Sequence, residues 1–200
     1  MAEPIQFHFD FSSPYSYLAS EKIDALAARF GREVIWRPLL LGVVFQNLGT
    51  LPLVEQPGQG SYAPRDMARS ARFLGIPYRY PSRFPIPTQQ AARAFYWMDD
   101  HDPAEARQFA HAVFRAYYVD DRDISAPATV LDIAADLGVD RQALAAALGS
   151  QELKDRLKRE NEAAIADGIF GAPWIVVDGE PFWGADRLAQ VEAWLERGGF

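Results

Sequence analysis

The amino-acid sequence predicts an α/β fold in which a long helical insertion separates two short segments that contain the β-strands. Apolar and polar residues alternate over residues 5–11, and this period of two is typical of a strand. The middle of the chain instead places apolar side chains at helical spacing. A short apolar run at residues 174–177 restores the strand pattern near the C-terminus.

The first strand leads directly into a helix. Either Ser12 or Ser13 can cap this helix, with Pro14 at or near its first position. Apolar residues recur at helical spacing as far as Gly31, and glycine commonly ends a helix. A second strand is predicted at residues 34–36. Because strand–helix–strand units cross over in a right-handed sense, the two strands should be parallel.

The central region is predicted to be irregular at first and helical afterwards. Residues 39–63 are rich in glycine and proline, which favours irregular structure. Helices are then predicted near residues 64–74, 88–100, 103–118, 127–137, 140–148 and 151–167.

The C-terminal segment is predicted to form a hairpin and a last helix. An Asp-Gly pair at residues 178–179 makes the turn before a return strand that begins at Pro181. The complete order, β-α-β, insertion, β-β-α, is that of a thioredoxin-like fold split after its second strand. We therefore predict a thioredoxin-like domain from residues 1–38 and 168–200, and a domain of a loop plus a helical insertion from residues 39–167.

The composition narrows the classes of function. With 200 residues, of which 49% are hydrophobic, the chain can form one domain with an ample core. A net charge of −7 argues against nucleic acid or an anionic membrane surface as the main partner. The absence of cysteine fits the cytosol, and we expect a cytoplasmic protein without a signal peptide or membrane span. The three histidines are scattered, so no metal site is expected.

Ser13 occupies the strand-to-helix corner, where thioredoxin-like proteins carry a redox Cys-x-x-Cys motif. It can be an ordinary helix cap with no further role. The same geometry also supports a functional role, because a helix N-terminus favours an anion and a hydroxyl can donate a hydrogen bond to a bound thiolate. Since the chain contains no cysteine, the thiol must come from another molecule.

Two motifs near the C-terminus provide further candidates. Pro173 directly precedes a strand, and in this fold that position is a cis-proline that exposes the backbone of Ala172 to an extended peptide such as glutathione. The stretch from Trp183 to Asp186 can be an ordinary helix start. Alternatively, its backbone N–H groups can bind a carboxylate while Asp186 binds an ammonium group.

Arginine side chains offer candidates for binding a substrate carboxylate. Arg83 lies in a proline-containing loop and is one such candidate. Arg65, Arg69 and Arg72 share one face of a predicted helix, and a stripe of this kind is more often simply solvated.

Three stretches of the chain resemble the 2-hydroxychromene-2-carboxylate isomerase family, which is related to kappa-class glutathione transferases and to DsbA. They are Phe-Asp-Phe-Ser-Ser-Pro-Tyr-Ser-Tyr-Leu-Ala at residues 9–19 and the paired C-terminal motifs at residues 168–174 and 182–187. The resemblance implies a thioredoxin fold with a helical insertion, a homodimer, and glutathione as a cofactor that is not consumed.

The resemblance also implies roles for individual residues. Ser13 matches the catalytic serine, which contacts glutathione. The other implied glutathione-binding residues are Ala172, Pro173, Trp183, Gly184, Ala185 and Asp186, and the implied substrate-binding residues are Phe45 and Phe84. Many family members carry asparagine where this chain has Thr50 and Pro87. Both positions belong to the substrate-facing region, so these departures bear on the choice of substrate.

The activity that the resemblance implies is a glutathione-dependent cis–trans isomerisation between 2-hydroxychromene-2-carboxylate and trans-o-hydroxybenzylidenepyruvate, a step in aromatic catabolism. One alternative is a kappa-like glutathione transferase that conjugates an electrophile and releases the product. Another is a non-catalytic thioredoxin-fold module that binds peptides. A disulfide oxidant is excluded, because the chain has no cysteine pair.

Overall fold

The computed structural model describes residues 3–200 and contains a four-stranded sheet in the order β2-β1-β3-β4. The strands are β1 (Ile5–Phe9), β2 (Val34–Pro38), β3 (Trp174–Val177) and β4 (Glu180–Trp183). β1 pairs with β2 in parallel, whereas β3 is antiparallel to both β1 and β4. The predicted parallel pair and the predicted C-terminal hairpin are therefore confirmed.

The helices lie mostly in the insertion. Outside it, α1 (Pro14–Arg29) connects β1 to β2, and α9 (Leu188–Arg197) follows β4. The helices of the insertion are α2 (Leu41–Leu48), α3 (Gln59–Leu74), α4 (Gln89–Asp99), α5 (Pro103–Tyr118), α6 (Pro127–Asp136), α7 (Arg141–Gly149) and α8 (Gln151–Ala166). Each helix predicted in the insertion is present, although α3 begins earlier than expected. Within residues 3–200, no helix combines the length and the apolar character needed to cross a membrane.

Helix α2 corrects the prediction that residues 39–63 are irregular. Its first N–H group, that of Leu41, donates to Oδ2 of Asp10 at 2.6 Å. The preceding N–H group, that of Leu40, donates to Oδ1 of Asn161 at 2.7 Å. Leu40 itself has no side chain that could cap the helix. The local sequence does not predict this helix, because the side chains that cap it belong to residues that are distant in sequence.

The sheet and the insertion share one hydrophobic core. The ring of Phe9 in β1 lies 5.7 Å from the ring of Phe95 in α4 and 5.7 Å from that of Phe114 in α5. Aromatic contacts of this kind bury large apolar areas on both partners. The division of the chain into two domains follows the order of its elements and stays a prediction.

Candidate active site

Ser13 lies at the N-terminus of α1 and is the helix cap itself. Its Oγ accepts a hydrogen bond from the backbone N–H of Ser16 at 3.1 Å and donates one to the carbonyl oxygen of Ala172 at 3.1 Å. The other candidate cap, Ser12, instead accepts a bond from the N–H of Ile86 at 3.1 Å. The Ser13 hydroxyl oxygen is thus fixed by α1, and its single proton is directed at the start of the C-terminal hairpin.

The peptide bond between Ala172 and Pro173 is cis, as predicted. The carbonyl of Pro173 accepts a bond from the N–H of Gly184 at 3.0 Å, which joins this corner to the end of β4. The N–H of Ala172 has no protein acceptor within residues 3–200. An unpaired backbone donor beside a cavity is a ready partner for an extended peptide ligand.

A cavity of about 1610 Å³ opens beside Ser13. It is larger than a typical small-molecule site, which spans about 300–1,000 Å³. Its lining includes predicted site residues from both ends of the chain and from the insertion: Ser13, Phe45, Phe84, Ala172, Pro173, Trp183, Gly184, Ala185 and Asp186. The fold therefore brings these residues to one place.

Arg83 is not brought to the cavity, although it immediately precedes Phe84. Its guanidinium group is exposed and forms an ion pair with Asp123. Arg83, the residue that the sequence suggested for binding a substrate carboxylate, is thus paired with Asp123 outside the cavity lining.

Two aromatic side chains, Phe170 and Trp183, line the cavity near the cis-proline. The ring of Phe170 contacts the rings of Trp174 and Trp183, with centroid distances of 4.8 Å and 4.7 Å. The indole of Trp183 packs directly over Gly171, where a Cβ atom would overlap Nε1. Trp183 is 53% exposed, so much of its ring surface remains open to a ligand.

The segment after Trp183 differs in detail from the expected helix start. A 3₁₀ turn, Ala185–Arg187, precedes α9, and Gly184 adopts a φ of 115° that favours glycine. The carboxylate of Asp186 lies 3.0 Å from the guanidinium of Arg187. The segment therefore presents a carboxylate and a guanidinium together in the lining of the cavity.

Asp10 is a buried carboxylate that lines the cavity and that no sequence motif indicated. Its Oδ1 accepts bonds from the N–H of Ser12 at 2.7 Å and the hydroxyl of Thr88 at 2.8 Å, while Oδ2 binds the N–H of Leu41. Burial raises the pKa of Asp10, and these three donors act in the opposite direction. Asp10 thus holds together the corner before α1, the start of α2 and the loop before α4.

A second polar cluster, the Asp66 cluster, consists of Tyr15, Tyr62, Asp66 and Arg69. The hydroxyl of Tyr15 donates to Asp66 Oδ2 at 2.7 Å, and the hydroxyl of Tyr62 donates to Oδ1 at 3.2 Å. Arg69 forms an ion pair with the same carboxylate. Desolvation favours the neutral acid, but the bonds from Tyr15, Arg69 and Tyr62 outweigh it and lower the pKa of Asp66.

Arg69 differs from the other two arginines of its predicted stripe. Arg69 lines the cavity, whereas Arg65 and Arg72 do not. The spacing of the three arginines predicts a solvated helix face. It cannot show that Arg69 lines the cavity, because the cavity forms only when α1 and α2 pack near α3.

Comparison with known proteins gives a consistent set of similarities. A family model described as a DSBA-like thioredoxin domain matches residues 4–196. A 2-hydroxychromene-2-carboxylate isomerase of Sphingobium xenophagum is 30% identical over 98% of this chain and 99% of its own length. A glutathione S-transferase kappa 2 of Caenorhabditis elegans is 30% identical, covering 96% and 91%. The solved structure of a 2-hydroxychromene-2-carboxylate isomerase superposes with a TM-score of 0.86 at 28% identity, covering 96% and 94%.

Proposed function

The chain belongs to the DsbA-like thioredoxin domain family, in the group of the 2-hydroxychromene-2-carboxylate isomerases, and from this premise we propose that it is a glutathione-dependent cis–trans isomerase. Its proposed reaction interconverts 2-hydroxychromene-2-carboxylate and trans-o-hydroxybenzylidenepyruvate. The observation that carries the proposal is the Ser13 hydroxyl at the N-terminus of α1, bonded to Ala172 beside the cis-proline and open to a large cavity.

The residues beside Ser13 fit glutathione. The unpaired N–H of Ala172 can pair with the backbone of its cysteinyl residue. Asp186 and Arg187 offer one group of each charge for the ammonium and carboxylate of its γ-glutamyl end. The exposed face of Trp183 adds apolar contact area between these two places.

Ser13 has the geometry required to stabilise a bound thiolate. When bound, glutathione would supply a thiolate that adds reversibly to a conjugated carbon, so that the former double bond can rotate before elimination. The helix cap uses Ser13 Oγ only as an acceptor of the Ser16 N–H. The O–H group can therefore turn from the Ala172 carbonyl towards a sulfur atom without loss of the cap. The positive end of the α1 dipole favours the same anion.

The remaining cavity residues position the substrate and exclude water. Phe45 and Phe84 line the cavity and offer apolar surface to an aromatic ring. Displacement of water from this space strengthens the hydrogen bond from Ser13, because the local dielectric falls.

The proposal is tested by following the absorbance of 2-hydroxychromene-2-carboxylate with the enzyme, with and without glutathione. We expect rapid equilibration only when glutathione is present, with the concentration of free thiol unchanged at the end. If no reaction occurs although calorimetry shows glutathione binding, the isomerase assignment is wrong and the thiol site remains.

A kappa-like glutathione transferase is the second candidate, and the similarity to the kappa 2 protein of Caenorhabditis elegans favours it. That activity would consume thiol and release a stable conjugate, so the same experiment separates the two. A peptide-binding module, the third candidate, would bind extended peptides without affinity for glutathione. The homodimer and the cytoplasmic location are further proposals, open to sedimentation and cell fractionation.

A further inference from the structure

The insertion contributes an apolar surface to the lining of the cavity. We call this surface the apolar wall; it consists of Phe45, Leu48, Leu53, Phe73 and Phe84. Among the described residues that line the whole cavity, the cationic side chains are those of Arg69 and Arg187. Arg187 lies beside Asp186, at the end proposed for glutathione. Arg69 is therefore the cation that accompanies the apolar wall.

Arg69 keeps donors available for a ligand. Its Nη2 binds both Asp66 and the hydroxyl of Tyr62, and its guanidinium carbon lies 5.4 Å from the centre of the Tyr62 ring. Within residues 3–200, its Nε and Nη1 groups have no acceptor. The side chain is 54% exposed, so an anion can reach it from the cavity. A guanidinium group held in this way can donate to a second carboxylate.

The position of Arg69 is tied to that of Ser13. Tyr15 stands two residues after Ser13 on α1, and its hydroxyl donates to the carboxylate that holds Arg69. The cation on α3 is thus held by a side chain of α1, the helix that Ser13 caps. A substrate held at Arg69 would consequently meet the Ser13 site in a restricted range of positions.

We propose that Arg69 binds the carboxylate of the electrophilic substrate, whose aromatic part lies on the apolar wall. Neutral electrophiles with the same skeleton, which lack this carboxylate, should then bind more weakly. This inference rests on the proposed function for the identity of the reacting carbon, but the binding site itself is argued from the cavity. It also replaces Arg83, which lies outside the cavity, as the carboxylate-binding residue.

The test is a binding measurement that does not require turnover. trans-Benzylidenepyruvate is titrated calorimetrically into the wild type, Arg69→Gln and Arg72→Gln in the absence of glutathione. We expect Arg69→Gln to weaken binding about 10-fold or more, because a hydrogen-bonded charge pair is lost. Arg72 lies on the same helix but does not line the cavity, so Arg72→Gln should bind within about two-fold of the wild type.

Two further comparisons separate the loss of a contact from a loss of structure. Arg69→Lys keeps the charge and should recover part of the affinity. Benzylideneacetone, which has a methyl group in place of the carboxylate, should bind equally to the wild type and to Arg69→Gln. Circular dichroism of each variant checks that the fold is intact.

The outcomes distinguish this inference from the proposed function. Equal affinity of Arg69→Gln and Arg72→Gln for trans-benzylidenepyruvate, or no binding to the wild type, overturns the role of Arg69. If binding depends on Arg69 but no glutathione-dependent isomerisation is found, the carboxylate site stands and the isomerase proposal fails.

Discussion

The hydroxyl oxygen of Ser13 lies 3.1 Å from the carbonyl oxygen of Ala172, although 159 positions separate the two residues in the sequence. This bond joins the first helix to the segment before β3. Ser13 thus has two structural roles, since the oxygen that donates this bond also caps α1 by accepting the N–H of Ser16. A substitution of Ser13 must therefore affect stability as well as the proposed chemistry.

Ser13→Ala should fold but lose most of its activity. Loss of the helix cap should lower the free energy of unfolding by about 1 kcal/mol. Loss of the donor to the thiolate should lower kcat about 100-fold or more. The control is Ser150→Ala, which removes the hydroxyl that caps α8 by accepting the N–H of Leu153. Ser150 does not line the cavity, so this variant should leave kcat unchanged. Equal kcat values for the two variants would contradict the role of Ser13.

Ser13→Cys should place one reactive thiol at the helix N-terminus. Because the chain has no other cysteine, thiol titration reports on this position alone. The N-terminus of α1 favours the thiolate, so the reaction with a disulfide reagent should begin at a lower pH than for an ordinary thiol. Ser70→Cys is the control, since Ser70 lines the cavity from within α3. Identical pH profiles for the two thiols would show that the helix terminus has no such effect.

Gly171→Ala should displace Trp183. The added Cβ would overlap the indole nitrogen, and because Trp183 is half exposed its ring can move outwards without loss of the fold. We expect altered tryptophan fluorescence and glutathione binding that is about 10-fold weaker. Gly149→Ala, at the end of α7, adds a methyl group where no atom lies within 4 Å and serves as the control. Unchanged binding in Gly171→Ala would remove Trp183 from the glutathione site.

His8 should make the stability depend on pH between about 4 and 6.5. Burial in β1, assisted by the charge of Arg37, lowers the pKa of His8 from 6.5 to about 4. The unfolded chain therefore binds a proton at higher pH than the folded chain, and the free energy of unfolding should fall as the pH decreases through this window. We expect a loss of about 3 kcal/mol, which urea unfolding at several pH values would measure.

His8→Gln removes this titrating group and provides the comparison for the pH series. In the variant, the decrease in stability between pH 6.5 and 4 should be smaller than in the wild type. His101→Gln, at an exposed position, controls for the loss of a histidine as such. If the wild type and His8→Gln lose stability in parallel, burial of the neutral imidazole is not the cause.

The parts of the fold that depend on local pattern could be predicted from the sequence. The alternation before Ser13 and the apolar run after Pro173 predicted β1 and β3, which the structure contains. Helix α2 could not be predicted, because its N-terminus is capped by Asp10 and Asn161, which are brought to it only by the completed fold.

The same distinction, between local sequence pattern and long-range contacts, applies to the residues of the candidate site. Ser13 and Trp183, which both line the cavity, could be singled out because each lies in a motif with its own local geometry: a strand-to-helix corner and the end of a hairpin strand. The positions of the Arg83 and Arg69 side chains relative to the cavity could not be predicted, since they depend on which partner each side chain meets. Arg83 meets Asp123 outside the cavity, whereas Arg69 meets Asp66 inside it.

The central place of β1 in the sheet has a consequence for synthesis on the ribosome. β1 leaves the exit tunnel before β3, its partner on one side, which follows only after the whole insertion has been made. One edge of β1 therefore remains without its partner strand until the insertion has been made. Nascent chains that stop before residue 174 should consequently be prone to aggregation and should bind chaperones that recognise exposed apolar segments.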